Sequence, residues 1–111
     1  MKIEILLPTE YINSNLGLSK LDTKLVDKVK KDLISKLLEY EGGVTCNRVE
    51  GWYKSRKGIV TKSTYISCWV YTQNNSLLAF LQSSGYISSI CKILKQESIG
   101  VVIDNHFMCI S

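Results

Sequence analysis

His106, in the run Asp104-Asn105-His106, is the chain's single histidine. It is therefore the one side chain whose ordinary pKa suits proton transfer near neutrality. Glu50 and Glu97 are the carboxylates that would join it if their strands approached one another. A turn histidine beside an aspartate is more often a solvated loop residue, and a lone strand glutamate usually lies on the surface. A small enzyme using His106 with a carboxylate is thus a third option, and no catalytic residue is assigned. No G-x-S-x-G, P-loop, H-E-x-x-H or dinucleotide fingerprint occurs. Cys46, Cys68, Cys91 and Cys109 are spaced too widely and evenly for a zinc ribbon or a CxxC pair. They read as small hydrophobes in a reducing compartment, and neither a metal nor a cofactor is called for.

The stronger chemical pattern is aromatic. Tyr65, Ser67, Trp69 and Tyr71 alternate with Ile66, Cys68 and Val70. A strand sends alternate side chains to opposite faces, so one face suits a core and the other carries a stripe of rings. Such a stripe can stack nucleic-acid bases, with Arg56 and Lys57 in the adjoining turn available as phosphate contacts. Trp52 would add a ring if the register placed it on the same face. Against single-stranded RNA or DNA, the stretch from Lys62 to Trp69 lacks the RNP1 glycine pattern. The first strand offers only Lys2, Glu4 and Leu6 to that face. The favoured reading is a non-catalytic binding or regulatory module that self-associates, as a homodimer, through Leu6, Tyr65, Trp69, Tyr71 and Val102. The segment from Phe107 to Ile110 would help by covering a sheet edge or swapping between subunits.

The elements that must position these residues follow from periodicity. Ile3, Ile5 and Leu7 alternate with Lys2, Glu4 and Leu6, and Pro8 ends this first strand. Thr9 to Ser19, with Asn13, Ser14, Asn15 and Gly17, reads as a long loop, and long loops are often functional. Ser19 is placed to cap a helix, with Asp22 three residues on. Leu21, Leu25, Val29, Leu33 and Leu37 then mark a helical stripe that Gly42-Gly43 would terminate through positive φ. Val44 to Tyr53 and Ile59 to Thr72 form a hairpin around Ser55-Arg56-Lys57-Gly58. A second helix runs from about Leu77 to Lys95, weakened at Ser83-Ser84-Gly85. Ser98 to Ile103 is an apolar strand, which Phe107 to Ile110 extends beyond a turn at Asp104-Asn105. The order βαββαβ predicts a ferredoxin-like α+β domain: a four-stranded antiparallel sheet with two helices on one face. The aromatic stripe would then sit at the centre of the open face.

Composition agrees with one ordinary globular domain over residues 1–111. The chain is 45% hydrophobic and 22% charged, with a net charge of +4. Its lysines are interleaved with Asp22, Asp27, Asp32 and Glu39, the pattern of a solvated helix face rather than a nucleic-acid patch. Met1 to Pro8 does not read as a signal peptide and no run is long enough to span a membrane, so a cytoplasmic protein is expected.

Three short motifs recur in this order in one group of proteins: Gly42-Gly43-Val44-Thr45, Glu50-Gly51-Trp52-Tyr53 and Lys95-Gln96-Glu97-Ser98-Ile99. The chain resembles this family of uncharacterised small bacterial proteins, common in cyanobacteria, which open with a strand ending in proline. Members commonly carry an acidic residue where Lys62-Ser63 stands here, which speaks against a shared acidic site in the hairpin. The resemblance implies a ferredoxin-like domain in which Glu50, Trp52, Gln96 and Glu97 matter to the fold or to an interface. It brings no activity with it.

Overall fold

A computed structural model describes residues 1–13, 17–54 and 56–111. Ser14 and Asn15, read above as loop residues, and Ser55, read as part of the hairpin turn, lie outside the described residues. The elements are β1 (Lys2–Pro8), β2 (Glu10–Asn13), β3 (Gly17–Lys20), α1 (Thr23–Leu38), β4 (Thr45–Lys54), β5 (Val60–Tyr71), α2 (Asn75–Ser83), α3 (Tyr86–Ile93), β6 (Ile99–Ile103) and β7 (His106–Ile110). Five strands form one antiparallel sheet in the order β4-β5-β1-β6-β7, and β2-β3 form a separate hairpin.

The four-stranded, two-helix ferredoxin-like layout expected from the sequence is therefore overturned, although the α+β class stands. Three local causes account for the difference. Asp104 and Asn105 adopt φ of 47° and 69°, the two-residue turn that suits the twist of a tight hairpin. Residues 106–110 consequently fold back on β6 as a fifth strand. The segment expected as a long loop is the β2–β3 hairpin, closed at its base where the Leu21 N–H donates to the Thr9 carbonyl at 2.9 Å. Gly85 takes φ 79°, so the second helix stops at Ser83 and restarts at Tyr86, a break made tolerable by the missing Cβ.

Helix α1 begins two residues after the start of its apolar stripe. Asp22, not Ser19, caps it, its carboxylate accepting from the Lys24 N–H at 2.9 Å. Ser19 is held in β3. Gly42 and Gly43 do not end the helix through positive φ, since neither adopts it. The chain stops the helix earlier with tight backbone bonds from the Glu39, Tyr40 and Glu41 N–H groups to the Lys36 and Leu37 carbonyls. Asn74 caps α2, its side chain accepting from the Ser76 N–H at 2.9 Å.

The three helices make one layer. The Tyr86 hydroxyl of α3 donates to Asp32 of α1 at 2.6 Å. The Phe80 ring of α2 lies 5.7 Å from that of Tyr40 and 5.3 Å from that of Tyr86. Beneath this layer Ile3, Ile5, Leu7, Val70, Ile99 and Val101 of the sheet meet Leu33, Leu37, Leu77, Leu81 and Ile87, all at most 2% exposed. Each such side chain contributes about 1.5–3 kcal/mol of burial. No helix among the described residues is long and apolar enough to cross a membrane.

Candidate active site

Register sorts the strand side chains onto two faces. Ile66, Cys68 and Val70 of β5 stand opposite Leu7, Ile5 and Ile3 of β1 and point to the helices. Tyr65, Ser67, Trp69 and Tyr71 lie on the other face with Pro8, Leu6, Glu4 and Lys2. The aromatic stripe is therefore real, and it is more tightly made than its sequence suggested. The Trp69 and Tyr71 rings meet edge to face with centroids 5.3 Å apart. The Lys2 ammonium sits 4.5 Å from the centre of the Trp69 ring. Ser67 is fully buried and donates to the Glu4 carboxylate. Phe107 joins this face opposite Val102. Its ring occupies the space above Gly100, where a Cβ would stand 2.7 Å from a ring carbon.

Trp52 does not join the stripe. It pairs with Lys62, in phase with Thr64 and Ile66, and so lies on the helix-side face, where the Lys62 ammonium stands 5.7 Å from its ring. Glu50 is also on that face, 3.7 Å from the Lys62 ammonium. Gln96 acts as a structural tie. Its amide donates to the Glu10 carbonyl at 2.7 Å and the Leu94 carbonyl at 2.9 Å, joining the β2–β3 hairpin to the end of α3. Glu97, Arg56 and Lys57 are exposed.

His106 is not brought to any carboxylate partner named for it. It is exposed on the β7 edge strand, whereas Glu50 is on β4 at the opposite edge. Four inter-strand spacings separate those edges, about 19 Å. Glu97 precedes β6, while His106 pairs with Ile103 at the far end of that strand.

A different constellation appears where β4 and β5 outrun the helices. Ile66, Cys68 and Val70 are buried, but exposure rises toward Val60. The uncovered part of the helix-side face opens into a cleft of about 550 Å³, within the size range of small-molecule sites. One wall is the first half of α1, with Thr23, Val26, Asp27 and Lys30. A second is the base of the β2–β3 hairpin, with Thr9, Glu10, Lys20 and Leu21. The floor is β4 and β5, including Cys46, Arg48, Lys62, Thr64 and Ile66. Thr9 fixes the hairpin to that floor by donating from its hydroxyl to the Thr64 carbonyl at 2.8 Å.

The cleft carries both signs of charge. Asp27 is engaged by Lys31 at 3.0 Å and Lys62 by Glu50. Lys20, Lys30, Arg48 and Glu10 form no ion pair among the described residues. Such a cleft suits a small zwitterion or a ligand with separate anionic and cationic groups. Cys46 stands on its floor with its Sγ 2.9 Å from that of Cys68. Burial, and then the bond to Cys46, push the Cys68 thiol well above the ordinary thiol range. Among the described residues no group of three or more His, Cys, Asp or Glu side chains is placed to hold a metal ion.

The cleft residues were not singled out from the sequence, yet one indication was there. Arg48 and Lys62 fall in phase with the half-buried Cys46 and the core residue Ile66. Charge at positions that alternation assigns to the core means that this part of the face has left it.

No family model matches the sequence, and no curated protein matches it. Solved structures do. A phage SAM lyase in complex with S-methyl-5'-thioadenosine matches with a TM-score of 0.57 at 13% identity, over 99% of this chain and 88% of that one. The same kind of enzyme in its apo state matches with a TM-score of 0.56 at 15% identity, over 99% and 87%. The fold is thus shared along essentially the whole chain. This likeness also corrects the sequence-based function, because the structures sharing the fold are those of an enzyme and not of a non-catalytic module. A non-catalytic role and base stacking are both overturned as the function.

Proposed function

We propose that the protein is an enzyme that cleaves S-adenosylmethionine or a closely related sulfonium nucleoside, with the substrate seated in the cleft between α1, the β2–β3 hairpin and the β4–β5 floor. The observation carrying this reading is the match to phage SAM lyase over 99% of this chain. The charge pattern of the cleft supports it. The substrate bears a carboxylate, an ammonium and a sulfonium, and therefore needs cations and anions in one pocket. Arg48, Lys20 and Lys30 hold the carboxylate, with Arg48 able to bind it through two parallel N–H bonds. Glu10 faces the cationic end. The substrate's own carboxylate attacks the chain carbon bonded to sulfur; the new carbon–oxygen bond closes a lactone as the carbon–sulfur bond breaks, and that bond's electrons leave with sulfur in the neutral thioether S-methyl-5'-thioadenosine. A neutral leaving group needs no general acid, so the remote position of His106 is no obstacle.

The test is to incubate the purified protein with S-adenosylmethionine and follow S-methyl-5'-thioadenosine by chromatography. Release of the thioether is expected. Absence of both product and calorimetric binding would remove the reading.

Three further statements are proposals of the same kind. A cytoplasmic setting fits the four free thiols. Membership in the group of small bacterial proteins rests on the three motifs quoted above. Pairing of two copies is proposed for the open face, where Tyr71 and Phe107 are 68% and 64% exposed. Sedimentation or light scattering should give a mass above that of one chain, and a single-chain mass at high concentration would eliminate the pairing.

A further inference from the structure

Cys46 and Cys68 are directly opposed in the antiparallel β4–β5 ladder. Opposed residues in such a ladder have Cα atoms about 4.5–5.5 Å apart, inside the window of about 4.4–6.8 Å that a disulfide spans. Both side chains lie on the helix-side face, and their sulfurs already stand 2.9 Å apart. Closing to a bond asks for a sulfur movement of about 1 Å and no change of register. The two thiols differ in access. Cys46 is half-buried on the cleft floor, whereas Cys68 is fully buried. Burial, and then the bond to Cys46, hold Cys68 as the neutral thiol; the charge of Lys30, which lines the same cleft, opposes this only in part. The other cysteines are differently placed: Cys91 is buried with its thiol directed to the Ile110 carbonyl, and Cys109 is on β7.

We propose that Cys46 and Cys68 are a reversible modification site, a cross-strand dithiol that low-molecular-weight disulfides of the glutathione class oxidise through Cys46. The step balances without another reagent. Cys46 loses its proton to solvent, and its thiolate attacks one sulfur of the external disulfide. That forms a mixed disulfide and expels one thiolate, which takes up a proton. Cys68 then gives up its proton, and its thiolate attacks the Cys46 sulfur, expelling the second small thiol. Two protein thiols become one disulfide, and one external disulfide becomes two thiols. Burial keeps Cys68 from reacting first, so the order of attack is set by access to the cleft. The bond staples the cleft floor two residues from Arg48 and removes the free Cys46 thiol from it.

The experiment treats reduced, folded, full-length protein with excess oxidised glutathione, blocks remaining thiols and maps the linkage by mass spectrometry without reduction. The expected result is a Cys46–Cys68 linked peptide pair, two hydrogens lighter than the two reduced peptides together and restored by dithiothreitol, whatever the exposed Cys109 carries. Cys68→Ala should instead accumulate glutathione on Cys46. A wild-type protein that keeps glutathione on Cys46, leaves Cys46 unmodified, or links either residue to Cys91 or Cys109 would overturn the proposal. The wild-type mapping decides by itself if the variant does not fold. Because the readout is mass and linkage, it is independent of the cleavage activity proposed above.

Discussion

The two halves of β5 are one continuous strand with opposite duties. Between Ile66 and Val70 the helix-side positions are sealed under the helices, and Cys68 and Val70 are at most 1% exposed. Between Val60 and Thr64 the same alternation continues without being sealed: Thr64 floors the open cleft, and Val60 is 59% exposed. The covered half gains stability from packing. The uncovered half, with the matching half of β4, is free to carry Arg48, Glu50 and Lys62 without the cost of burying charge. A long hairpin on a short helical layer thus yields a core and a polar cleft from one strand pair.

The largest expected contrast is in stability. Leu33→Ala beneath the covered half, at a fully buried site, should cost about 2–5 kcal/mol by denaturant unfolding. Val60→Ala in the uncovered half should change stability by less than about 0.5 kcal/mol. Equal costs would break the comparison. Next comes ligand binding. Arg48→Ala should leave stability nearly unchanged but weaken S-adenosylmethionine binding by roughly tenfold or more, as expected for losing a charge-assisted contact. Undiminished affinity, measured by calorimetry, would take Arg48 out of the site.

A smaller effect concerns the cover itself. Burial, and then the hydrogen bond to Asp32, raise the Tyr86 hydroxyl above its ordinary value of 10.0. The folded state therefore favours neutral Tyr86. This contribution is fully present below pH 10.0 and is lost as pH rises through the higher folded value. The stability gap between wild type and Tyr86→Phe should hold below that pH and close above it. A gap independent of pH would show that Tyr86 does not hold α3 to α1 through its hydroxyl.

Much of the framework was legible in the residues. Ile3, Ile5 and Leu7 announced β1, the leucine stripe announced α1, and alternation in Tyr65 to Tyr71 assigned both faces of β5. Local patterns settle local geometry. The number of strands was not legible in the same way, because β7 depends on two consecutive residues, Asp104 and Asn105, accepting positive φ. The short strands Glu10–Asn13 and Gly17–Lys20 carry too little alternation to stand out from a polar loop. The cleft was hidden for another reason. It is made by what α1 fails to cover, and its lining is drawn from segments as distant in sequence as Thr9 and Ile66. The rings mark the open face in sequence, whereas Lys30 is one of several lysines that α1 interleaves with carboxylates and carries no local sign that it faces a cleft.

The position of β1 at the centre of the sheet has a consequence for how the chain acquires its structure. Its partners are remote: Lys2 pairs with Tyr71, and Ile3 with both Val70 and Ile103. At about 5–20 residues per second of synthesis, β1 would wait several seconds before either neighbour existed. The helices that cover it offer little in advance, since α2 and α3, at 9 and 8 residues, are too short to persist alone in water. Folding of this chain should therefore belong to the slow class governed by non-local pairing, in milliseconds to seconds. Of the sheet's five strands, the one made earliest is among the last to be secured.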